Sequence, residues 1–211
     1  MRMMHLTSAA ALAVALFAVP ALAQTASTTD TLGRGPGYQE IERGLFFGVS
    51  GGASFVLKPP APEGAARPFS SGQTVQIELG YDLNERLSLS VFLQGTAQHE
   101  GAEYVGNSGG AASGDFSLLV PGAALRLNAV GFNDAQGVKR TWLYLRGGVG
   151  YALFTPKTLL PDSDILVFVG PGLEYYTRLR HFSIGVTVLG TMLAKSKSFG
   201  FQVTPTLRYA F

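Results

Sequence analysis

The sequence is poor in two kinds of residue, cysteine and charged residues. It contains no cysteine among its 211 residues, which excludes a disulfide framework, thiol chemistry and anchoring through a lipidated cysteine within this stretch. Only 14% of the residues are charged, and the 16 basic and 14 acidic residues nearly balance. Because no run of like charge is present, neither a nucleic-acid partner nor a polybasic membrane arm is expected.

Long apolar runs are also absent, apart from one near the N-terminus. Residues 9–19 are apolar, Arg2 precedes them and Ala21-Leu22-Ala23 follows, which is the layout of a cleaved secretory signal peptide. The run is short for a membrane helix, which needs roughly 20 residues. We therefore predict a signal peptide over 1–23, a polar periplasmic lead-in over 24–43 and a folded domain over 44–211.

The folded domain consists of segments in which apolar and polar residues alternate with a period of two, the pattern of β-strands with one face of each kind. Eight such segments can be recognised, at 45–55, 75–81, 87–96, 116–129, 141–153, 165–175, 182–188 and 201–211. Only helices and closed barrels satisfy every backbone group within lipid. The sequence therefore predicts an all-β fold, an eight-stranded antiparallel up-and-down transmembrane β-barrel of the size of OmpA and OmpX.

The lengths of the connections give an independent check on this topology. Long connections at 58–72, 97–115 and 155–163 alternate with short ones, as expected when short turns face the periplasm and long loops face outward. Two connections fit less well, because 130–140 is long for a periplasmic turn and 194–198 is short for an outer loop. An even number of strands places both termini of the barrel in the periplasm.

A soluble lipocalin-like barrel is the alternative, since it shows the same alternation with the two faces exchanged. Three features favour the membrane barrel. The few strand charges share a face with glycine and serine, as a crowded small-barrel interior requires. Aromatic residues lie at strand ends, where interfacial girdles are expected, and the last residue is Phe211.

The final strand ends on Tyr209-Ala210-Phe211 after strict alternation from Phe201. A last strand that closes on phenylalanine, with tyrosine two residues before it, resembles the assembly signal of Gram-negative outer-membrane barrels. Tyr209 and Phe211 are therefore assigned to recognition by the barrel assembly machinery, and the localisation predicted is the outer membrane, with its lipids as partners.

Five charged residues fall on the polar face of the strands, in the half of the barrel nearer the periplasm: Glu78, Arg126, Arg146, Glu174 and Arg208. Unpaired charges there would be costly, so opposite signs should pair. Two interpretations remain, a proton or ion path and a salt-bridge network that fills the bore. The second is favoured because eight strands leave little room for an aqueous channel.

Catalytic and metal-binding patterns are weak. His99 stands beside Glu100, with Ser108 and Ser113 further along the same loop, and His181 is expected to be solvated in a turn. A histidine and a serine in one loop do not define a base and nucleophile, so no enzyme activity and no cofactor are predicted. Asp162 and Asp164 supply fewer oxygens than calcium requires, so no metal site is predicted.

Several strings resemble a known family, among them GLFFGVSGGASF, EYVGNSGGAASGDFS and PGLEYYTRLRHFSIG. They are similar to the small myxobacterial outer-membrane proteins linked to adventurous gliding motility, the CglE-like family, over about residues 38–211. The resemblance implies a surface or scaffold component of a gliding and adhesion complex, with other motility or envelope proteins as partners. A narrow pore is the runner-up and an outer-leaflet lipid-modifying enzyme the third hypothesis.

Overall fold

The structure is a computed structural model that describes residues 41–57, 70–99, 115–155 and 163–211. These ranges contain eight β-strands: β1 (Leu45–Val56), β2 (Ser70–Asp82), β3 (Leu87–His99), β4 (Phe116–Asn133), β5 (Lys139–Thr155), β6 (Ser163–Tyr176), β7 (Phe182–Leu193) and β8 (Ser198–Ala210). In this described part of the chain, no helix is long and apolar enough to cross a membrane. The predicted signal peptide, most of the lead-in and most of the three long loops lie outside the described residues.

The strands form one closed antiparallel barrel in sequence order. Each strand pairs with its neighbour in the chain, and β8 closes the ring by pairing with β1, where Phe47 faces Tyr209 and Phe55 faces Phe201. The start of β1 and the finish of β8 therefore lie at the same end of the barrel, which we call the terminal end. The opposite end, reached after Val56, His99, Thr155 and Leu193, is called the loop end.

The two faces of every strand differ as the alternation predicts. Outward side chains are apolar and exposed, for example Val75 at 58% and Val149 at 55%. Inward positions are buried and include many polar residues, among them Gln76, Gln94 and Thr204. Because the apolar face is outside, the soluble lipocalin-like arrangement is wrong, and the fold is an eight-stranded antiparallel up-and-down transmembrane β-barrel.

Aromatic residues mark both ends of the outer surface. At the terminal end they are Phe47, Tyr81, Tyr175, Phe182, Tyr209 and Phe211, and at the loop end Phe55, Tyr151, Phe199 and Phe201. Phe55 stacks on Phe201 with ring centroids 4.7 Å apart. Phe47 and Phe55 are eight residues apart, which is about 27 Å along a strand and about 20 Å in height at the usual tilt. The aromatic residues thus bracket a band comparable to the apolar thickness of an outer membrane.

The connection between β4 and β5 is shorter than the sequence suggests. β4 continues to Asn133 and β5 begins at Lys139, which leaves a five-residue turn, 134–138. The pairing register shifts between Asn128 and Val130, so a bulge at Ala129 breaks the alternation on which the predicted strand boundary rested. The expected long connection over 130–140 is therefore wrong, and all three connections at the terminal end are short.

The upper interior, toward the loop end, is divided lengthwise. On β3 to β7 the inward side chains form an apolar cluster: Phe92, Phe116, Val120, Ala124, Ala152, Phe154, Leu166, Phe168, Leu189 and Leu193. On β8 and β1 to β3 they are polar and hydrogen-bonded, as where Gln98 donates to Ser54 and accepts from Ser70, both at 2.9 Å. The interior is therefore packed as a protein core along one side and as a polar network along the other.

Candidate functional site

Six charged side chains fill the interior at the terminal end and form the interior charge cluster: Glu78, Asp82, Arg126, Arg146, Glu174 and Arg208. Three ion pairs join them, Arg126–Glu174, Arg146–Glu78 at 2.6 Å and Arg208–Asp82. Arg208 also approaches Glu174 at 4.0 Å. The cluster carries three positive and three negative charges, so it is internally neutral.

The structure brings together all five of the charges that the sequence assigned to the interior, and it adds one. Asp82 is not a turn residue, as its place before Leu83-Asn84-Glu85 indicated, but the last residue of β2, and it is 6% exposed. The period of two contained the signal, because Gln76, Glu78, Gly80 and Asp82 are successive inward positions of that strand.

Each ion pair joins strands that are not neighbours in the sheet. Arg146 of β5 reaches Glu78 of β2, which is three strands away around the ring, and Arg208 of β8 reaches Asp82 past β1. Arg126 and Arg146 face each other directly across β4 and β5. Their like charges are compensated separately, because each arginine pairs with a carboxylate on a different strand.

Hydrogen bonds and aromatic rings surround the cluster and satisfy most of its polar atoms, although Arg208 Nε is buried without a hydrogen-bond partner. Ser183 donates to Glu174 at 2.7 Å, Ser88 to Asp82 at 2.6 Å and Gln76 to Glu78 at 3.1 Å. The Arg208 guanidinium lies 3.6 Å from the centroid of the Phe46 ring, and that of Arg126 lies 3.8 Å from that of Tyr144. Such paired and stacked charges meet the conditions under which buried ions are tolerated.

The part of the bore lined by the described residues contains two small cavities. One cavity of about 30 Å³ lies within the interior charge cluster, lined by Glu78, Arg126, Arg146 and Glu174. A second, also about 30 Å³, lies at the boundary between the apolar and polar sides, lined by Gln94, Gln98, Leu166 and Gln202. A space of this size holds about one water molecule. Side chains therefore fill the interior, as expected for eight strands.

A further ion pair, separate from the interior charge cluster, lies at the opening of the barrel at the terminal end. Arg140 donates from Nε to Asp134 at 2.7 Å and from Nη1 to the Thr177 carbonyl at 2.9 Å. Asp134 also accepts from the backbone N–H groups of Gln136 and Val138, both at 2.9 Å. The Val138 hydrogen bond, followed by the Arg140 side chain, holds the pKa of the Asp134 carboxyl below its usual value.

The N-terminal segment also contacts this opening. Glu42 forms an ion pair with Arg180 at 2.6 Å. The Arg43 guanidinium lies 5.8 Å from the centroid of Trp142 and 5.5 Å from that of Tyr176, and Trp142 covers Gly131 of the neighbouring strand. The last residues of the predicted lead-in are thus ordered against the barrel.

The residues assigned to assembly lie in one aromatic group at the terminal end. Tyr209 contacts Phe211, Phe182 and His181, with ring centroids 5.1, 5.0 and 5.3 Å apart. His181 Nδ1 lies 2.9 Å from the Ala210 carbonyl oxygen and is only partly exposed. The expectation that His181 is simply solvated is therefore wrong, because its ring packs on the final strand.

At the loop end, His99 and Asp164 have separate environments. His99 Nδ1 lies 3.6 Å from Asp115, and both side chains are exposed, at 69% and 51%. Ser108, Ser113 and Asp162 lie outside the described residues. Asp164 is fully buried and accepts from the backbone N–H groups of Ile165, Lys195 and Ser196 at 2.6, 2.7 and 2.9 Å. Asp164 therefore anchors the β7–β8 turn.

In the described ranges, no group of three or more histidine, aspartate or glutamate side chains is placed to hold a metal ion. In the interior charge cluster, each carboxylate is paired with an arginine, so the cluster is a filled and neutral network. What it can do is hold five strands of the ring together across the bore.

A closed eight-stranded barrel with an apolar outer face and a packed interior defines the class of small transmembrane β-barrels. Among solved structures, the chain is similar to Neisserial surface protein A (NspA), with 13% identity over 82% of this chain and 100% of that one, at a TM-score of 0.60. It is also similar to the outer membrane protein OprG from Pseudomonas aeruginosa, with 12% identity over 82% of this chain and 99% of that one, at a TM-score of 0.50. No protein-family model matches the sequence, and no curated protein matches it.

Proposed function

We propose that the protein is a non-enzymatic outer-membrane barrel that acts as a surface or scaffold component. The observation that carries this proposal is the closed bore: ion pairs between non-neighbouring strands fill one half and an apolar cluster fills much of the other. A barrel that does not transport acts through the surfaces it presents. Its apolar exterior then faces outer-membrane lipids, and its loops face other envelope proteins.

A narrow pore is the competing function, and electrical recording separates the two. The full chain is reconstituted into planar bilayers beside a porin of 16 strands, whose aqueous channel serves as the positive control. We expect no steady conductance from this protein, because each interior cavity holds about one water molecule. A stable open level that scales with the inserted protein would overturn the scaffold proposal in favour of a pore.

An outer-leaflet lipid-modifying enzyme is the third hypothesis, and it depends on His99. That side chain is exposed and lies 3.6 Å from Asp115, and Ser71 of β2 is its cross-strand neighbour. We expect His99→Ala to leave the acylation pattern of extracted lipid A unchanged. A pattern that changes in the variant, and is restored by the wild-type chain, would make the enzyme hypothesis the better one.

The process we propose is adhesion during gliding motility, which rests on the resemblance to the CglE-like family. A barrel with a rigid interior and a loop end suits a fixed outer-membrane part of such a complex. The test is deletion of the gene followed by tracking of single cells on a hard surface, with reintroduction of the full-length gene as the control. Wild-type gliding in the deletion strain would refute an essential role.

Insertion is proposed to depend on the terminal aromatic group. Phe211 packs at the end of β8 against Tyr209, at the position where the assembly machinery is expected to read the chain. We expect Phe211→Ala to lower the fraction of folded barrel in the outer membrane, measured by the heat-dependent shift in gel mobility. Equal folded fractions for the variant and the wild type would contradict this role.

A further inference from the structure

The outer surface of β6, β7 and β8 contains an apolar groove close to the loop end. Val167, Val169, Met192 and Phe199 form its walls, the outward-facing Gly190 lies on its floor, and the backbone of Gly200 between Phe199 and Phe201 also lines it. It is an open depression on the outer wall with a volume of about 350 Å³. The register places Val167 beside Met192 and Met192 beside Phe199, so the groove crosses all three strands near their upper ends.

Two lysines stand directly above this groove. Lys195 and Lys197 belong to the four-residue turn that joins β7 to β8, and both are exposed. The Lys195 ammonium donates to the Ser163 carbonyl at 3.2 Å, which holds it at the top of β6. Within the described part of the chain, neither lysine forms an ion pair with a carboxylate.

The turn that carries the lysines is fixed in place. The Asp164 carboxylate accepts from the Lys195 and Ser196 N–H groups, and Ala194 N–H donates to the Ile165 carbonyl at 2.9 Å. Asp164 is the nearby acid, and it is directed inward and buried. The two positive charges are therefore presented at a constant height above the groove, on a scaffold that needs no ordering when a ligand binds.

We propose that this groove and the two lysines above it bind one phosphorylated lipid of the outer leaflet, with an acyl chain along Gly190 and Gly200 and a phosphate at Lys195 and Lys197. The inference rests on the proposed outer-membrane location. Charge complementarity selects this occupant, because an apolar groove capped by two cations matches a ligand with an apolar tail and an anionic head. A second copy of this chain would place the same lysine pairs near each other, which is unfavourable.

The groove begins at the depth that such a lipid requires. Phe199 is two residues below Lys197, and Phe201 and Gly190 pair one step further down the barrel. A span of four or five residues along a strand is about 15 Å, which is about half of the hydrocarbon thickness of a bilayer. The groove thus lies within a single leaflet.

The test measures retention of lipid A, with its two phosphates, by the full chain. The protein is reconstituted into nanodiscs of phosphatidylcholine containing a small fraction of lipid A, extracted into mild detergent and examined by native mass spectrometry. We expect wild-type protein to retain one lipid A molecule in preference to phosphatidylcholine. Replacing both lysines, K195Q and K197Q, should lower retention about thirtyfold, as expected for two basic side chains that each contribute about 1 kcal/mol at an anionic surface.

A matched pair of glycine variants tests the groove itself. Gly190→Leu fills the floor of the groove and should lower retention at least as strongly as the lysine change. Gly95→Leu is the control, because Gly95 also faces outward and has open space around its Cα. Lys139→Gln, an exposed lysine of the terminal end, is the control for charge and should retain lipid A as the wild type does.

The outcomes separate this inference from the proposed function. Equal retention by the wild type, the double lysine variant and Gly190→Leu would overturn the lipid site. Dimers that cross-link through β6–β8 without lipid A, and that Gly190→Leu abolishes, would overturn it in favour of a second copy. Failure of the wild type to insert into any bilayer would instead reject the membrane location.

Discussion

At the scale of single residues, Glu174 is the most connected member of the interior charge cluster. Its carboxylate pairs with Arg126, approaches Arg208 and accepts from Ser183, and it is 4% exposed. Glu174→Gln keeps the shape but leaves the buried Arg126 guanidinium without its carboxylate partner, while Arg208 keeps only Asp82. We expect the free energy of unfolding to fall by about 3–5 kcal/mol, the usual cost of breaking a buried pair on one side. Urea titration of protein folded into lipid vesicles measures it.

Glu85→Gln is the matched control for this prediction. Glu85 pairs with Lys139 at 3.4 Å, but both side chains are about half exposed, and an exposed pair contributes about 0–1 kcal/mol. A loss from Glu174→Gln no larger than that from Glu85→Gln would show that the interior charge cluster does not stabilise the barrel.

Asp134 offers a pH-dependent prediction outside the membrane-spanning strands. The Val138 N–H group and the Arg140 guanidinium lower the pKa of its carboxyl in the folded turn, so the folded state favours the charged form. The stabilisation is therefore present above the ordinary aspartate pKa of about 4 and is lost as the pH falls through the lower, folded value. Acid titration followed by NMR should show the Val138 amide proton shifting with a midpoint below that of an ordinary aspartate.

Asp134→Asn should remove this titration while the remaining amide resonances keep their positions. The prediction fails if the Val138 amide titrates at or above the ordinary aspartate value, or if it titrates equally in the variant. Either result would mean that the hydrogen bonds at 2.9 Å do not favour the ionised carboxylate in solution.

The polar-inside rule predicts the interior charges but not the apolar side of the bore. Glu78, Arg126 and Arg208 follow from counting inward positions. Phe92 and Phe168 also point inward, and their rings meet edge-on with centroids 5.5 Å apart. Period two identifies a face but does not show whether opposite walls of a barrel contact each other, because that depends on pairings far apart in the sequence.

At the scale of elements, three prolines within strands interrupt the hydrogen-bonded ladders. Paired positions are missing near Pro121 between β4 and β5, near Pro171 between β6 and β7, and near Pro205 between β8 and β1. Proline has no N–H group, so each position loses one ladder bond in a sheet that has no free edge. The neighbouring pairs resume the same register, so closure of the ring tolerates these losses.

Gly170, next to Pro171, is one of the positions where the backbones of two strands approach closely. A Cβ at this position would lie 1.9 Å from the Val188 carbonyl oxygen, and backbone cannot move aside as a flexible side chain can. We expect Gly170→Ala to destabilise the barrel by at least about 1–3 kcal/mol, the usual cost of overpacking. The folded fraction after refolding into vesicles, followed by heat-dependent gel mobility, measures the effect.

Gly95→Ala supplies the comparison, since the added methyl group meets nothing within 4 Å. That variant should fold as well as the wild type, because alanine also restricts the unfolded chain. If both alanine variants refold equally, the close approach at Gly170 does not constrain the β6–β7 pairing.

Strand identity could be predicted from the sequence for all eight elements, whereas several boundaries could not: β2 begins at Ser70 rather than 75, β7 ends at Leu193 rather than 188, and β4 ends at Asn133 rather than 129. Before the bulge at Ala129 the outward residues of β4 have odd numbers, such as Leu125 and Leu127. After it they have even numbers, Val130 and Phe132, because the bulge shifts the alternation by one position. A bulge is set by local twist and by the partner strand rather than by composition. Strict alternation therefore ended the predicted strand too early and made the following turn too long.

At the scale of the whole molecule, the residues that stabilise the barrel lie in its interior, whereas the surfaces available to other molecules lie at its ends and on its wall. The bore is closed by the interior charge cluster and the apolar cluster, and the wall faces lipid, so contact with other molecules is confined to the two ends and to grooves on the wall. At the terminal end, two ion pairs, Arg140–Asp134 and Glu42–Arg180, stabilise the turns and the N-terminal segment. The loop end carries the anchored β7–β8 turn and gives rise to the three long connections.

The last prediction concerns the orientation of these two ends in the membrane. Because the sequence contains no cysteine, a single introduced thiol is the only one that a maleimide can label. Ala194→Cys places one thiol on the exposed β7–β8 turn of the loop end, and Gln136→Cys places one on the exposed turn of the terminal end. Short turns face the periplasm in outer-membrane barrels, so a membrane-impermeant maleimide should label Ala194→Cys in intact cells. It should label Gln136→Cys only after the outer membrane is permeabilised, and the reverse pattern would invert the barrel.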